Sequence, residues 1–244
     1  MRLTRVYVEG PLKPCSVVEL PADTAAHLAK VLRARSGDSL ILFNGDGREF
    51  AGTIESVRGA RVSAAVGDGR PADRESPLNV TLIQCLPRGD RMDFIVQKAT
   101  ELGVARIVPV LSRRSVVRLD KAQAQSKAAH WRAVAVSACE QSGRNRVPDI
   151  GPAQPLLSYL GEPPRGTGPR WVFEPAPTAV APRSGGAILD AQIAIGPEGG
   201  FEPGELEAFR IAGFSQVGLG PRILRAETAA LAALVWLQAR FGDM

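Results

Sequence analysis

Long apolar runs are missing from this chain. No stretch approaches the roughly 20 residues needed to cross a bilayer, and the opening MRLTRVYVEG has no apolar centre of a secretory signal. The chain is therefore expected to work in the cytoplasm, with no membrane partner. Cysteine is scarce too: Cys15, Cys85 and Cys139 are odd in number, far apart and without CxxC spacing. No histidine cluster accompanies them, so the expectation is three reduced, mostly buried thiols, with no disulfide framework and no metal. Lysine is the third shortage, at only five of the 30 basic residues. The rest are arginine, whose planar fork suits bidentate phosphate contact and base stacking. A net charge of +5 points to nucleic acid only weakly, because many basic proteins are simply soluble. Internal repeats and sustained heptads are also absent.

What is present is enough chain for two modest domains: 244 residues, 45% of them hydrophobic and 23% charged. Residues 1 to about 71 read as short β segments (RVYVEG, SVVEL, DSLILFNGDGREFAGTIESV, ARVSAAVGD), with hairpin-turn chemistry in NGDG. One helix interrupts them, from about Asp23 to Arg33, capped by Asp23 or Thr24 and apolar at Ala26, Leu28, Val31 and Leu32. This pattern predicts a small barrel. GRPADRESP, from Gly69 to Pro77, is the linker candidate. From residue 77 to 244 strands and helices alternate, as in an α/β domain with a largely parallel sheet. NVTLIQCL, ARIVPVLS and RWVFEP read as strands. GDRMDFIVQKATELGV reads as a helix capped by Asp90 and stopped by Gly103, and a longer helix from about Lys121 ends at Ser142 and Gly143. The Pro/Gly-rich stretches between Gly161 and Gly186 read as surface loops.

Two loops carry the chemical signal. In IAIGPEGGFEPGELEAF three apolar residues run into Gly196-Pro197-Glu198-Gly199-Gly200 and then into a helix. Glycines admit ligand atoms close to the main chain, and the helix start offers free N–H groups. No Gly-Lys-Ser/Thr follows and the pattern is not GxGxxG, so phosphate transfer and nicotinamide binding lack their residues. The second loop, LGPRILRAETAA from Leu219 to Ala230, also follows a strand and enters a helix. Arg222 and Arg225 stand in it without an obvious packing reason, and a salt bridge to Glu198 or Glu227 is the bland alternative for one of them. The helix that follows is apolar nearly all round, so it needs cover from its own domain or from a partner subunit.

Taken together, KATELGV, ACEQSGR, AIGPEGGF and LGPRILRAETA, in this order, resemble the ribosomal small-subunit methyltransferase E family of the SPOUT superfamily. RLTRVYV and HLAKVLR resemble its N-terminal segments, so the resemblance covers nearly the whole chain. It implies a PUA-like RNA-binding β-barrel over residues 1–71 and a SPOUT α/β domain with a deep trefoil knot over residues 77–244. It further implies a homodimer and methyl transfer from S-adenosylmethionine to N3 of one uridine of 16S rRNA (U1498 by the usual rRNA numbering) in the assembled small ribosomal subunit. Carried over position by position, the cofactor pocket takes Phe173, Glu174, Ile195, Gly196, Gly199, Gly200, Leu219, Gly220, Ile223, Leu224 and Arg225.

Uracil N3 is a weakly acidic imide that must lose its proton, and negative charge then develops on the flanking carbonyl oxygens. Arg225 or Arg222 is the candidate to stabilise that charge, and Glu198 or Glu140 the candidate base. Arg2, Arg5, Lys30, Arg33, Arg113, Arg114, Arg118, Arg144 and Arg146 are candidates to track RNA phosphates. Lys98 and Glu101 read as an ordinary i,i+3 pair. In one departure, Ala226 stands where many members of the family carry threonine, so no hydroxyl there is essential. A ribosome-assembly factor without catalysis, or a SPOUT enzyme with another RNA target, remain alternative readings.

Overall fold

The structure is a computed structural model that describes residues 3–175 and 188–244. Arg2 and part of the Pro/Gly-rich stretch between Gly161 and Gly186 lie outside the described residues. The chain divides into two compact units: Met1–Glu75 with Val136–Val147, and Ser76–Ala135 with Pro148–Met244.

The first unit holds β1 (Thr4–Tyr7), β2 (Val17–Glu19), α1 (Ala22–Lys30), β3 (Ser39–Phe43), β4 (Arg48–Arg58) and β5 (Arg61–Pro71). The strands form one sheet in the order β1-β3-β4-β5-β2, with β1 parallel to β3 and every other pair antiparallel. Alternation along β3 to β5 turns Leu40, Leu42, Phe50, Ile54, Val62 and Ala64 inward onto Val6 and Leu28, the half-buried pattern of an antiparallel sheet. The β3–β4 hairpin turns through Asn44–Gly47, where Gly45 and Gly47 take positive φ as NGDG predicts. The helix α1 is shorter than its apolar spacing predicts. It starts at Ala22 without a side-chain cap and ends at Lys30, leaving Val31 and Leu32 exposed. Arg33, in left-handed backbone at φ 51, turns the chain away just beyond it.

The second unit contains β6 (Asn79–Cys85), α2 (Arg91–Glu101), β7 (Arg106–Leu111), α3 (Lys121–Ser142, whose last turns group with the first unit), β8 (Asp149–Ile150) and β9 (Gln154–Pro155). After these come α4 (Leu156–Leu160), β10 (Arg170–Phe173), β11 (Asp190–Ile195), α5 (Pro203–Ile211), β12 (Ser215–Val217) and α6 (Ala226–Phe241). Seven parallel strands form one sheet in the order β12-β10-β11-β6-β7-β8, with β9 also pairing with β7. Continuous apolar runs such as Ile193–Ile195 are buried on both faces, as parallel strands between helices must be. Gly103 and Gly143 stop α2 and α3 at φ 82 and φ 92, as expected of C-terminal glycines.

The chain leaves the sheet at β9 and re-enters it on the far side of β6, so β11 comes to lie between β6 and β10. The carboxyl ends of β10, β11 and β12 are thereby brought together, and ligands of open α/β sheets bind outside such ends. The helix α6 packs against α2 and buries Ala230, Ala233, Leu234 and Leu237, but covers only part of its apolar circumference. Its Leu231, Ala232, Val235 and Trp236 form an open apolar face with Phe94 of α2. Among the described residues no helix is long and apolar enough to cross a membrane, and no three His, Cys, Asp or Glu side chains are grouped to hold a metal ion. All three cysteines are free, and two of them, Cys85 and Cys139, are buried, in line with mostly buried thiols, while Cys15 is exposed.

Candidate active site

A cleft of about 230 Å³ opens at the ends of β10, β11 and β12. Phe173, Glu174 and Pro175 supply one edge, Ile195 to Glu198 and Gly200 a second, and Leu219, Gly220 and Arg222 to Ala226 the third. Ten of the eleven residues expected around a cofactor therefore line one cavity. Gly199 does not: it lies on the exposed outer side of the turn, where its carbonyl accepts a hydrogen bond from Arg114 Nη1 at 2.9 Å.

The first loop is anchored by its own sequence. The N–H of Gly200 donates to the Pro197 carbonyl at 2.9 Å, closing a turn that places Gly200 at φ 68. Phe201 then drops into the core, edge-on to Phe209 with ring centroids 4.9 Å apart. The helix α5 starts cleanly with Pro203 in its first turn, while the Glu205 carboxylate accepts the Glu202 N–H at 2.9 Å. Glu205 is buried, and its other oxygen accepts the Arg113 N–H at 2.8 Å, fixing the loop after β7 beside the first loop. Nothing in the sequence distinguishes this glutamate from its solvent-facing neighbours in EPGELEAF.

Glu174 reaches into the same region. Its N–H donates to Val217, tying the ends of β10 and β12. Burial pushes its carboxyl above the ordinary value, against the opposing pull of the Phe201 N–H and of Arg114. Glu198 behaves in the opposite way. Burial disfavours its charge, but hydrogen bonds from its own N–H and that of Arg88, with the charges of Arg91 and Arg88, hold its carboxyl below the usual range. A carboxylate so stabilised accepts a proton less readily than an ordinary one. Glu140, the other candidate, belongs to the first unit, where it accepts the Tyr7 N–H at 3.0 Å.

Arg222 and Arg225 are exposed at the rim of the cleft. Among the described residues neither makes a salt bridge, and in particular neither pairs with Glu198 or Glu227. Both of those carboxylates are taken by Arg91, a residue that no motif in the sequence marks out. Ile223, between the two arginines, is 83% exposed, an apolar side chain left facing outward at the cleft rim.

The proposed RNA contacts divide. Lys30, Arg33, Arg113, Arg114, Arg118 and Arg146 are exposed. Arg113 lies 3.7 Å from Glu202, and Arg114 holds Gly199. Arg5 and Arg144 are buried instead, which corrects their assignment. Arg5 pairs with Glu49 and hydrogen-bonds Asn145 Oδ1, while Arg144 places Nε 3.0 Å from Glu75. A guanidinium buried against a carboxylate in this way is not open to a phosphate. Arg74, in the stretch read as a linker, joins this network at 2.6 Å from Glu49, so the last residues before Ser76 are held firmly in the first unit.

A parallel α/β sheet with two glycine-bearing loops at its strand ends defines a cofactor-binding domain, and comparison gives the class: the family described as an RNA methyltransferase domain matches residues 74–238, and one described as an RNA methyltransferase PUA domain matches residues 20–64. A methyltransferase from Legionella pneumophila solved with bound cofactor SAM is 37% identical, with a TM-score of 0.93 and full coverage of both chains. The ribosomal RNA small subunit methyltransferase E of Neisseria gonorrhoeae, bound to S-adenosylmethionine, is also 37% identical over the whole of both chains, with a TM-score of 0.90. The protein of that name from Bacillus subtilis is 36% identical over 95% of this chain and 94% of its own. The chain belongs to the ribosomal RNA small subunit methyltransferase E family.

Proposed function

We propose that this protein transfers a methyl group from S-adenosylmethionine to N3 of a single uridine in 16S rRNA, acting in the cytoplasm on the small ribosomal subunit. The observation that carries the reading is one cleft built from both glycine-bearing loops, with two arginines at its mouth that form no ion pair among the described residues. The residues present suit the cofactor. Apolar Phe173, Ile195, Leu219 and Leu224 offer an adenine slot, and Gly196 and Gly200 let polar groups approach the main chain. When bound, S-adenosylmethionine supplies an electrophilic methyl group. The chain's own task is to hold uracil N3 in line with it and to stabilise the negative charge on the neighbouring carbonyl oxygens. Arg225 and Arg222 take this role in the reading, which is supported by their exposure and by the lack of a carboxylate paired with either among the described residues. The exposed Lys30, Arg33 and Arg146 of the first unit, with Arg113, Arg114 and Arg118 of the second, track the phosphate backbone.

Gly200 offers a first test. At φ 68 an alanine is strained by about 1 kcal/mol, which the loop relieves only by moving. Gly200→Ala is therefore expected to raise the S-adenosylmethionine Kd several-fold in calorimetry; an unchanged Kd counts against this loop as a cofactor wall.

The same reading gives the N-terminal sheet a PUA-like barrel and the C-terminal unit a trefoil knot. The family match over residues 20–64 supports the first, and the return of residues 219–225 to the loops after β10 and β11 is in keeping with the second. It also makes the protein a homodimer. The open face of Phe94, Leu231, Ala232, Val235 and Trp236 carries no charge, so packing it on its own copy brings no like charges together. Val235→Glu is expected to convert a dimer into a monomer in sedimentation analysis, whereas a dimer that survives the substitution places the interface elsewhere.

A further inference from the structure

One side chain holds a carboxylate from each of the two glycine-bearing stretches, Glu198 and Glu227. Arg91, the first residue of α2, places Nη1 2.6 Å from Glu198 Oε1 and Nε 3.8 Å from Glu227 Oε1. The N–H of Arg88 donates to the same Glu198 oxygen at 3.1 Å, so the segment leading into α2 and its first residue both hold Glu198. Glu198 is part of the first glycine-bearing loop, and Glu227 is in the first turn of α6, immediately after the second. The second carboxylate oxygen of Glu227 is buried with no hydrogen-bond partner, which leaves Arg91 as the cation that compensates it among the described residues.

We propose that Arg91 is a positioning residue for methyl transfer: a clamp that joins the two cofactor loops and, by occupying Glu198 and Glu227, keeps Arg222 and Arg225 free for the RNA. The proposal rests on the S-adenosylmethionine reading of the cleft. Its physical basis is that a charge-assisted contact between two loops lowers the entropy they must lose on binding a ligand. Glu227 is also the carboxylate nearest in sequence to the rim arginines, and Glu198 lines the same cleft as they do. Released from Arg91, the two carboxylates become available to pair with those arginines and cancel the positive charge needed at the reacting base.

The clamp therefore acts on two quantities. Arg91→Ala is expected to raise the S-adenosylmethionine Kd about tenfold, the scale of a lost charge-assisted hydrogen bond, and separately to lower kcat at saturating cofactor. Arg91→Lys is expected to recover part of the loss, because an ammonium keeps the charge but cannot span both carboxylates as a fork does. The decisive measurement is a double-mutant cycle with Glu198→Gln, read by calorimetric Kd and by kcat on unmodified small subunits, with thermal unfolding of the full chain as the folding control. In the Glu198→Gln background the effect of Arg91 substitution on Kd should shrink to a few-fold or less. If Arg91→Ala does not fold, the cycle runs with Arg91→Lys. Wild-type protein that fails to bind S-adenosylmethionine overturns the cofactor reading and the clamp with it. Wild-type binding, combined with Arg91 effects that are absent or that simply add to those of Glu198→Gln, overturns the clamp alone.

Discussion

Arg225→Ala should lower kcat for methyl transfer by about 10²- to 10³-fold while the S-adenosylmethionine Kd stays within a few-fold, the scale seen when one preorganised donor is removed from a site of developing negative charge. The split follows from the geometry. Residue 225 lines the cleft as the N-cap of α6, and its carbonyl accepts the Ala229 N–H at 2.8 Å, a helix start that does not need the guanidinium. The side chain is exposed and, among the described residues, unpaired, so removing it strands no buried charge and costs little stability. Arg225→Lys should fall between the two, because it keeps the charge but loses the planar fork. Arg222→Ala separates the roles of the pair. A fall in kcat matching that of Arg225→Ala makes both arginines part of the charge-stabilising group, while a change confined to the RNA KM makes Arg222 a docking residue. If Arg225→Ala leaves kcat unchanged, the charge on the uracil is stabilised from elsewhere.

Glu49→Gln should destabilise the protein by about 3 kcal/mol at neutral pH, the cost expected when one partner leaves a buried ion pair and its mate stays behind. The Glu49 side chain is 2% exposed and faces Arg5, itself 4% exposed, together with Arg74 and Arg70 nearer the surface. Losing its charge leaves Arg5 buried among Asn145, the Arg144 carbonyl and a neutral amide. The effect depends on pH in a direction that can be derived. Burial opposes ionisation of Glu49, but hydrogen bonds from Arg74 and Arg5 outweigh it and hold the carboxyl below the ordinary value of 4.5. A carboxyl depressed in the folded state contributes fully above its unfolded pKa and loses that contribution as pH falls through the folded value. The gap between wild type and Glu49→Gln in urea unfolding should therefore be widest near pH 7 and narrow below about pH 4, the region where an unfolded glutamate titrates. A gap that widens in acid, or none at pH 7, contradicts the network.

What could be read from the sequence was what local rules control. The turns at Asn44–Gly47, the helix stops at Gly103 and Gly143, and the strand-to-helix passage at Gly196–Gly200 each depend on a few adjacent residues, and the structure has all of them where the pattern places them. The cleft was legible for the same reason, because each of its loops carries its own glycines and its own helix start. What stayed hidden depends on residues far apart in the chain. Arg144 sits in a basic, glycine-containing segment that looks suited to phosphate, yet its partner Glu75 lies 69 residues away, and Arg5 meets Asn145 across 140. Arg91 looks like any charged residue opening a helix until β11 is inserted beside β6 and carries Glu198 to it. The end of α1 was missed because nothing local announces that Arg33 will adopt positive φ.

The central claim is tested most directly by offering the protein labelled S-adenosylmethionine and small ribosomal subunits that lack the modification, then locating the product by nuclease digestion and mass spectrometry. The account predicts 3-methyluridine at a single position of 16S rRNA, formed by the wild-type protein and nearly lost in Arg225→Ala. Subunits that bind the protein without receiving a methyl group, or a methyl group found on a ribose or on a different base, would contradict it.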